Sequence, residues 1–175
     1  KKLQAFISFA EKQEQKTYPV HLKFNTGLNR LGFSKDDVRE ILSAVKASKA
    51  IKLRSVFSHL AASEDPEEKA FTLKQLNAFQ EISGEIIAAL PYTPFLHTLN
   101  TSGILNYPEA HYDMVRCGIG LYGFANDIQT TSQLKPVATL KSVISQIHTL
   151  EEGDTLGYNR AFKAQKTTKT ATLPI

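Results

Sequence analysis

Tryptophan is missing from this 175-residue chain, and cysteine and methionine occur once each. With Cys117 alone no internal disulfide can form, so the chain suits a reducing compartment, and a cytoplasmic location is the expectation. No apolar stretch reaches the ~20 residues a membrane-spanning helix needs, and no signal-peptide pattern opens the chain, so no membrane partner is expected. Long runs of one charge are missing too. The 21 basic and 17 acidic residues leave a net charge of +4 that is dispersed along the chain. With no nucleic-acid motif beside it, that charge argues against an RNA or DNA partner. No cluster of His, Cys and Asp has metal-ligand spacing, so no metal is expected. What is there, 42% hydrophobic and 22% charged residues, is the balance of an ordinary globular fold.

The first half alternates between two periodicities. Leu3, Phe6, Ile7 and Ala10 fall at helical spacing and predict an amphipathic helix over residues 1–14. Residues 20–25 then set Val20, Leu22 and Phe24 against His21, Lys23 and Asn25, the two-residue period of a strand. Gly27 and Gly32 bracket the loop that follows, and Ser34 with Asp37 forms a capping box ahead of the stripe Val38, Ile41, Leu42, Val45. Ile51 to Leu60 reads as a second strand. Asp65-Pro66-Glu67-Glu68 opens a helix carrying Leu76, Phe79, Ile82 and Ile86, which Pro91 and Pro94 end. A short strand to Asn100, a helical turn around Ile104 and a strand over Tyr112 to Arg116 complete the pattern. Such alternation implies parallel strands in an α/β sheet or barrel.

After Gly123 the character changes. Residues 124–135, rich in Asn, Gln, Thr and Ser, read as a linker. Residues 136–175 read as β structure: a strand within Val137 to Thr149, a turn at Glu151 to Asp154, and a final strand over Thr170 to Ile175. Four strands before the linker are about half of an eight-stranded barrel, which takes about 250 residues. The expectation is therefore a fragment: residues 1–123 as about half of a (β/α) barrel, 124–135 as linker, and 136–175 as the start of a β domain.

Four stretches carry candidate chemistry. Asp113-Met114-Val115-Arg116-Cys117-Gly118-Ile119-Gly120-Leu121-Tyr122-Gly123 runs a strand into a glycine loop. Taken alone it fits either a turn or a backbone cradle for phosphate. The others are His21-Leu22-Lys23-Phe24-Asn25-Thr26-Gly27-Leu28-Asn29-Arg30-Leu31-Gly32-Phe33, then His97-Thr98-Leu99-Asn100-Thr101-Ser102-Gly103, then Gly153-Asp154-Thr155-Leu156-Gly157-Tyr158-Asn159-Arg160. His21, His111 and His148 read as structural.

In this order and at these intervals, the four stretches resemble alanine racemase, a fold-type III pyridoxal-phosphate enzyme, over essentially the whole chain. That likeness would make residues 1–123 the second half of the barrel and residues 136–175 the first strands of a C-terminal β domain. The resemblance implies a homodimer interconverting L-alanine and D-alanine for supply of cell-wall peptidoglycan precursors, with pyridoxal 5'-phosphate as cofactor. Arg116 would contact the pyridine nitrogen, where a permanent cation keeps that nitrogen unprotonated and the ring a weaker electron sink. Thr101, where the family usually has serine, would hold the phosphate with the N–H groups of Gly118 and Ile119, and Asn100 and His59 would lie against the cofactor. His97 would support the site from behind. Arg30 would contact the cofactor's phenolic oxygen and the substrate carboxylate, and Lys23 matches a lysine often carbamylated to hold that arginine; an unmodified, solvent-facing Lys23 is the plain alternative. Asn25 and Asn29 stand where aspartate and glycine are commoner.

Tyr158 would be a catalytic base reaching the other subunit's site. A free tyrosine, with pKa ~10, needs nearby cations to serve so. The family's cofactor-binding lysine sits in a valine-lysine-alanine-aspartate-alanine-tyrosine-glycine-histidine-like motif that no lysine here matches, so this chain alone is expected to be inactive. Two other readings stand beside this one: another pyridoxal enzyme of the same barrel class, such as a broad amino-acid racemase or a decarboxylase, and a non-catalytic half-barrel binding module.

Overall fold

Residues 2–175 are described by a computed structural model, in two units that divide at Val137 and Ala138. The first unit is built on three parallel strands in the order β1 (Tyr18–Lys23), β2 (Ile51–Phe57), β3 (Phe95–His97). Helix α1 (Lys2–Lys12) precedes them, α2 (Val38–Ala47) joins β1 to β2, and α3 (Lys69–Ala89) joins β2 to β3. Each crossover helix buries the stripe its sequence predicts: Val38, Ile41, Leu42 and Val45 from α2, and Leu76, Phe79, Ile82 and Ile86 from α3. These meet Leu22, Phe24, Ile51, Leu53 and Val56 of the sheet in one core. The Asp37 carboxylate accepts the Ser34 N–H at 2.6 Å, half of the capping box of a 3-10 turn (Lys35–Asp37) that leads into α2.

Two departures in this sheet matter later. The register slips between Val20 and His21, so that Val20 faces Leu53 but His21 faces Ser55, and Arg54 is passed over. The second concerns the strand expected at Tyr112 to Arg116, which does not form. Tyr112 has φ 48, which breaks the extension. The Asp113 carboxylate also takes the Leu96 N–H at 2.8 Å, a donor that a fourth strand would need. Two backbone bonds join the segment to the 95–99 stretch, Asp113 N–H to Leu96 O and, past the end of β3, Arg116 N–H to Leu99 O. The sheet therefore has three strands where four were expected.

Beyond β3 the chain makes α4 (Thr101–Asn106) and a 3-10 turn at Ile119–Tyr122 that closes on Gly123 with φ 88. The 124–135 stretch holds a short helix, α5 (Ile128–Ser132), because Asp127 caps it through the Thr130 N–H at 2.7 Å.

The second unit is antiparallel β. β4 (Gln146–Leu150) pairs with β7 (Thr168–Thr172), and β5 (Thr155–Leu156) with β6 (Phe162–Lys163). Of the expected Val137 to Thr149 strand only the end at β4 is ladder, and the final strand lies two residues earlier than its predicted start. The Glu151 to Asp154 turn closes through Asp154 N–H to Glu151 O at 3.0 Å.

Candidate active site

The carboxyl ends of the parallel strands gather cations around Arg116. Its guanidinium donates to Ser58 O at 2.8 Å, Thr98 O at 3.1 Å and His59 Nδ1 at 3.1 Å, and also to His97 Nδ1. All four acceptors are neutral, so the charge is oriented without being paired. Burial pulls the guanidinium down from its ordinary value, yet arginine remains a cation at any working pH. Burial, then the Arg116, Lys23 and Arg30 charges, lower His59 from the usual imidazole value. Lys23 is lowered by burial, then by Arg30 and Arg116. Among the described residues the sole ion pair is Lys35–Glu81, exposed and outside this cluster.

The glycine loop is pinned by Thr101. Its Oγ1 accepts from Gly118 N–H at 2.9 Å and Gly120 N–H at 3.1 Å. A Cβ at Gly120 would stand 2.9 Å from Thr101 Cγ2, so the close approach requires glycine there. Asn100, expected beside a cofactor, has its Oδ1 committed locally: it accepts from Gly103 N–H at 2.9 Å, capping α4, and from Ser63 Oγ at 2.8 Å.

The Lys23 to Phe33 loop closes on itself. Phe33 N–H donates to Lys23 O and Asn25 N–H to Phe33 O, both at 2.8 Å. Asn25 Oδ1 accepts from Gly27 N–H at 3.2 Å and Asn29 N–H at 2.9 Å, and Asn29 has φ 56, which asparagine tolerates better than most residues. The two asparagines thus build the turn themselves. Arg30 is exposed, and its charge is felt at both Lys23 and His59.

Lys23, Arg30, His59 and Arg116 therefore belong to one cluster, and Thr101 is joined to Gly118 in the loop that follows Arg116. Ile119 lies in the pinned loop, its side chain 57% exposed. Tyr158 belongs to the second unit, where its side chain is fully exposed at 100% in a turn that follows Gly157 at φ 81.

Several residues that hold the site were missed from the sequence. Gln75, 1% exposed on α3, accepts Ala61 N–H at 2.9 Å and donates to His59 O at 3.3 Å, fixing the loop that carries His59. Ser58 Oγ donates to Phe24 O at 2.9 Å, joining the ends of β1 and β2. A signal existed: Thr72 and Gln75 are polar residues on the apolar face of α3, where a polar group must find partners.

A cofactor bearing a phosphate and an acidic substrate group suit this donor set. Among the described residues the three cations have no carboxylate partner and call for negative charge, while the Gly118 and Gly120 N–H groups are taken up by Thr101 Oγ1 and would have to exchange that bond for one to a phosphate.

Parallel strands joined by helices define an α/β protein, with a cationic cluster at the strands' carboxyl ends that is suited to anions. Comparison with known proteins makes this specific. Residues 1–126 match the description "Alanine racemase, N-terminal domain" and residues 137–175 match "Alanine racemase, C-terminal domain". The chain belongs to the alanine racemase family. It is 36% identical over 171 residues to the alanine racemase of Treponema denticola, covering 95% of this chain and 45% of that protein. To that of Synechocystis it is 35% identical over 162 residues, covering 91% and 43%.

The chain thus spans just under half the length of these relatives. Among solved structures it is similar to alanine racemase from Streptomyces lavendulae, with a TM-score of 0.79 and 26% identity over 97% of this chain and 46% of that one. It is also similar to alanine racemase from Bartonella henselae with covalently bound pyridoxal phosphate, with a TM-score of 0.72 and 26% identity over 98% and 46%.

Proposed function

We propose that this chain is part of a pyridoxal-phosphate-dependent alanine racemase that interconverts L-alanine and D-alanine for peptidoglycan precursor supply. The observation that carries the reading is the cluster of Lys23, Arg30 and Arg116 with no carboxylate partner, in a chain of this family. The three parallel strands with their crossover helices support a place in the second half of a (β/α) barrel. The break between the two units and the family matches to residue 126 and from residue 137 support a barrel portion 1–123, a linker 124–135 and a β-domain portion 136–175.

When bound, pyridoxal phosphate supplies an electron sink that acidifies the substrate's α-hydrogen. In this proposal the residues divide the remaining work. Arg116, whose guanidinium is locked by four neutral acceptors, presents a fixed cation to the pyridine nitrogen and keeps a proton off it. Thr101 and the Gly118 and Ile119 N–H groups bind the phosphate, with Asn100 and His59 alongside. Arg30 binds the substrate carboxylate. Lys23, with its lowered pKa, has a larger share of neutral amine than a free lysine, which is the form that carbamylation requires. Tyr158 moves the proton on one face of the α-carbon, in a homodimer where it serves the partner's site. The assembly and a cytoplasmic location belong to the same proposal, as does inactivity of this chain by itself, since no lysine here stands in the family's cofactor-binding motif.

The test is Tyr158→Phe in the full-length dimer, with cofactor occupancy confirmed first. Removal of the ionisable oxygen should reduce racemisation by about 10²- to 10⁴-fold and abolish solvent-deuterium exchange at the α-carbon of L-alanine while D-alanine still exchanges. A loss under about tenfold, or equal exchange from both enantiomers, places the base elsewhere.

A further inference from the structure

The bulge in the sheet does something that neither the motifs nor the family likeness foretold: it puts His21 across from Ser55. His21 Nδ1 lies 2.6 Å from Ser55 Oγ, and the same oxygen lies 3.1 Å from His97 Nε2. His97 Nδ1 in turn meets Arg116. One chain of contacts therefore runs from an exposed histidine on β1, through a fully buried serine on β2 and a buried histidine on β3, to the guanidinium in the site.

The chemistry of the end groups gives this chain a direction. A guanidinium has only donors, so His97 Nδ1 must accept, and a neutral His97 carries its proton on Nε2. That N–H then donates to Ser55 Oγ. The serine has a single hydrogen, and at 0% exposure no solvent can take it. Its other contact is His21 Nδ1, so Ser55 donates to His21. Every bond points outward, Arg116 to His97 to Ser55 to His21. The aromatic plane of Phe57 keeps the inner part in register: His97 stacks on it at 4.8 Å with rings 10° apart, and the Arg116 guanidinium lies 5.4 Å from the same ring.

We infer that His21 and Ser55 are positioning residues which, through this one-way relay, lock His97 in the Nε2–H tautomer and thereby hold the Arg116 guanidinium in place. The inference rests on the reading of Arg116 as a functional residue, but its test needs neither cofactor nor turnover. If Tyr158 proves not to be the base, the relay stands; if the relay fails, the racemase reading is untouched.

The experiment is long-range proton–nitrogen correlation of the histidine rings in the ¹⁵N-labelled chain at neutral pH. The wild-type chain should show His97 with an unprotonated Nδ1 and a protonated Nε2. Ser55→Ala removes the acceptor of that N–H with little change in bulk, and the His97 tautomer ratio should shift by about tenfold, the factor a lost hydrogen bond of ordinary strength carries. Solvent exchange of the Arg116 guanidinium protons should speed up by a similar factor.

His21→Leu should act in the same direction, whereas His21→Asn, which returns an acceptor near the Nδ1 position, should restore the wild-type pattern. Finding Nδ1 protonated in wild-type His97 would overturn the inference without recourse to any variant. So would an unchanged His97 pattern and Arg116 exchange rate in a folded Ser55→Ala or His21→Leu chain.

Discussion

Acid should loosen this protein in a pH window set by His97. Its ring is buried against Phe57 and faces the Arg116 charge; burial first, then Arg116 and then His21, push it from 6.5 down to about 4. Between those two values the unfolded chain binds a proton that the folded chain refuses, so stability rises with pH across the window and is lost as pH falls through it. At about 1.4 kcal/mol per unit, the full shift corresponds to about 3 kcal/mol, of which about 2 kcal/mol is gone by pH 5.

Carboxylates do not confuse this window. The lowered ones, Asp37, Glu81 and Asp127, start from ordinary values of 4.5 or below and titrate at its lower edge or beneath it. His59 is lowered as well and adds in the same direction. The assay is urea unfolding of the chain at pH 7 and pH 5, with His97→Gln as the comparison. The variant starts less stable, but the stability it loses between the two pH values should be smaller than the wild-type loss by about 2 kcal/mol. Equal losses in the two chains would show that His97 takes up its proton as readily in the fold as in the unfolded chain, and the account of the cluster as one that keeps its imidazoles neutral would be wrong.

Two further outcomes concern the scaffold. Gln75→Leu strands the Ala61 N–H and His59 O together, so it should cost about 2–3 kcal/mol in denaturant unfolding and speed amide exchange at Ala61 selectively; protection there equal to wild type would mean that the amide does not hold the loop. Gly32→Ala places a Cβ 2.7 Å from Asn25 N at a φ of 133, so it should destabilise by more than ~1 kcal/mol and disturb the Lys23 environment in NMR, whereas Gly84→Ala, which meets nothing within 4 Å inside α3, should be neutral or stabilising by up to ~1 kcal/mol.

Periodicity alone determined the crossover architecture, because burying an apolar stripe every 3.6 residues and an apolar face every second residue leaves few arrangements open. The stripes of α2 and α3 are buried as their spacing requires. That Lys23, Arg30 and Arg116 stand out was legible too, because ordered motifs together are far more specific than any one; that these charges and His59 lie near one another is what the structure adds. Local pattern failed where a long-range bond competed with it. Met114 and Val115 have strand propensity, but the Asp113 carboxylate caps the β3 donor that a fourth strand would use, and Tyr112 turns the chain aside.

His21 read as structural because nothing in a one-dimensional alternation announces a register slip against a strand more than 30 residues away, and it is the slip past Arg54 that brings Ser55, 34 residues on, opposite it. Ser58 and Ser55 were unreadable for the same reason, and Gln75 showed from its place on an apolar face only that it needs a partner, not which one. A buried polar side chain takes its role from the partner it meets, and partners 14 to 42 residues distant are chosen by packing. The sequence thus determined which charges are present; only the tertiary structure left those cations without a carboxylate and gave their hydrogen bonds a direction.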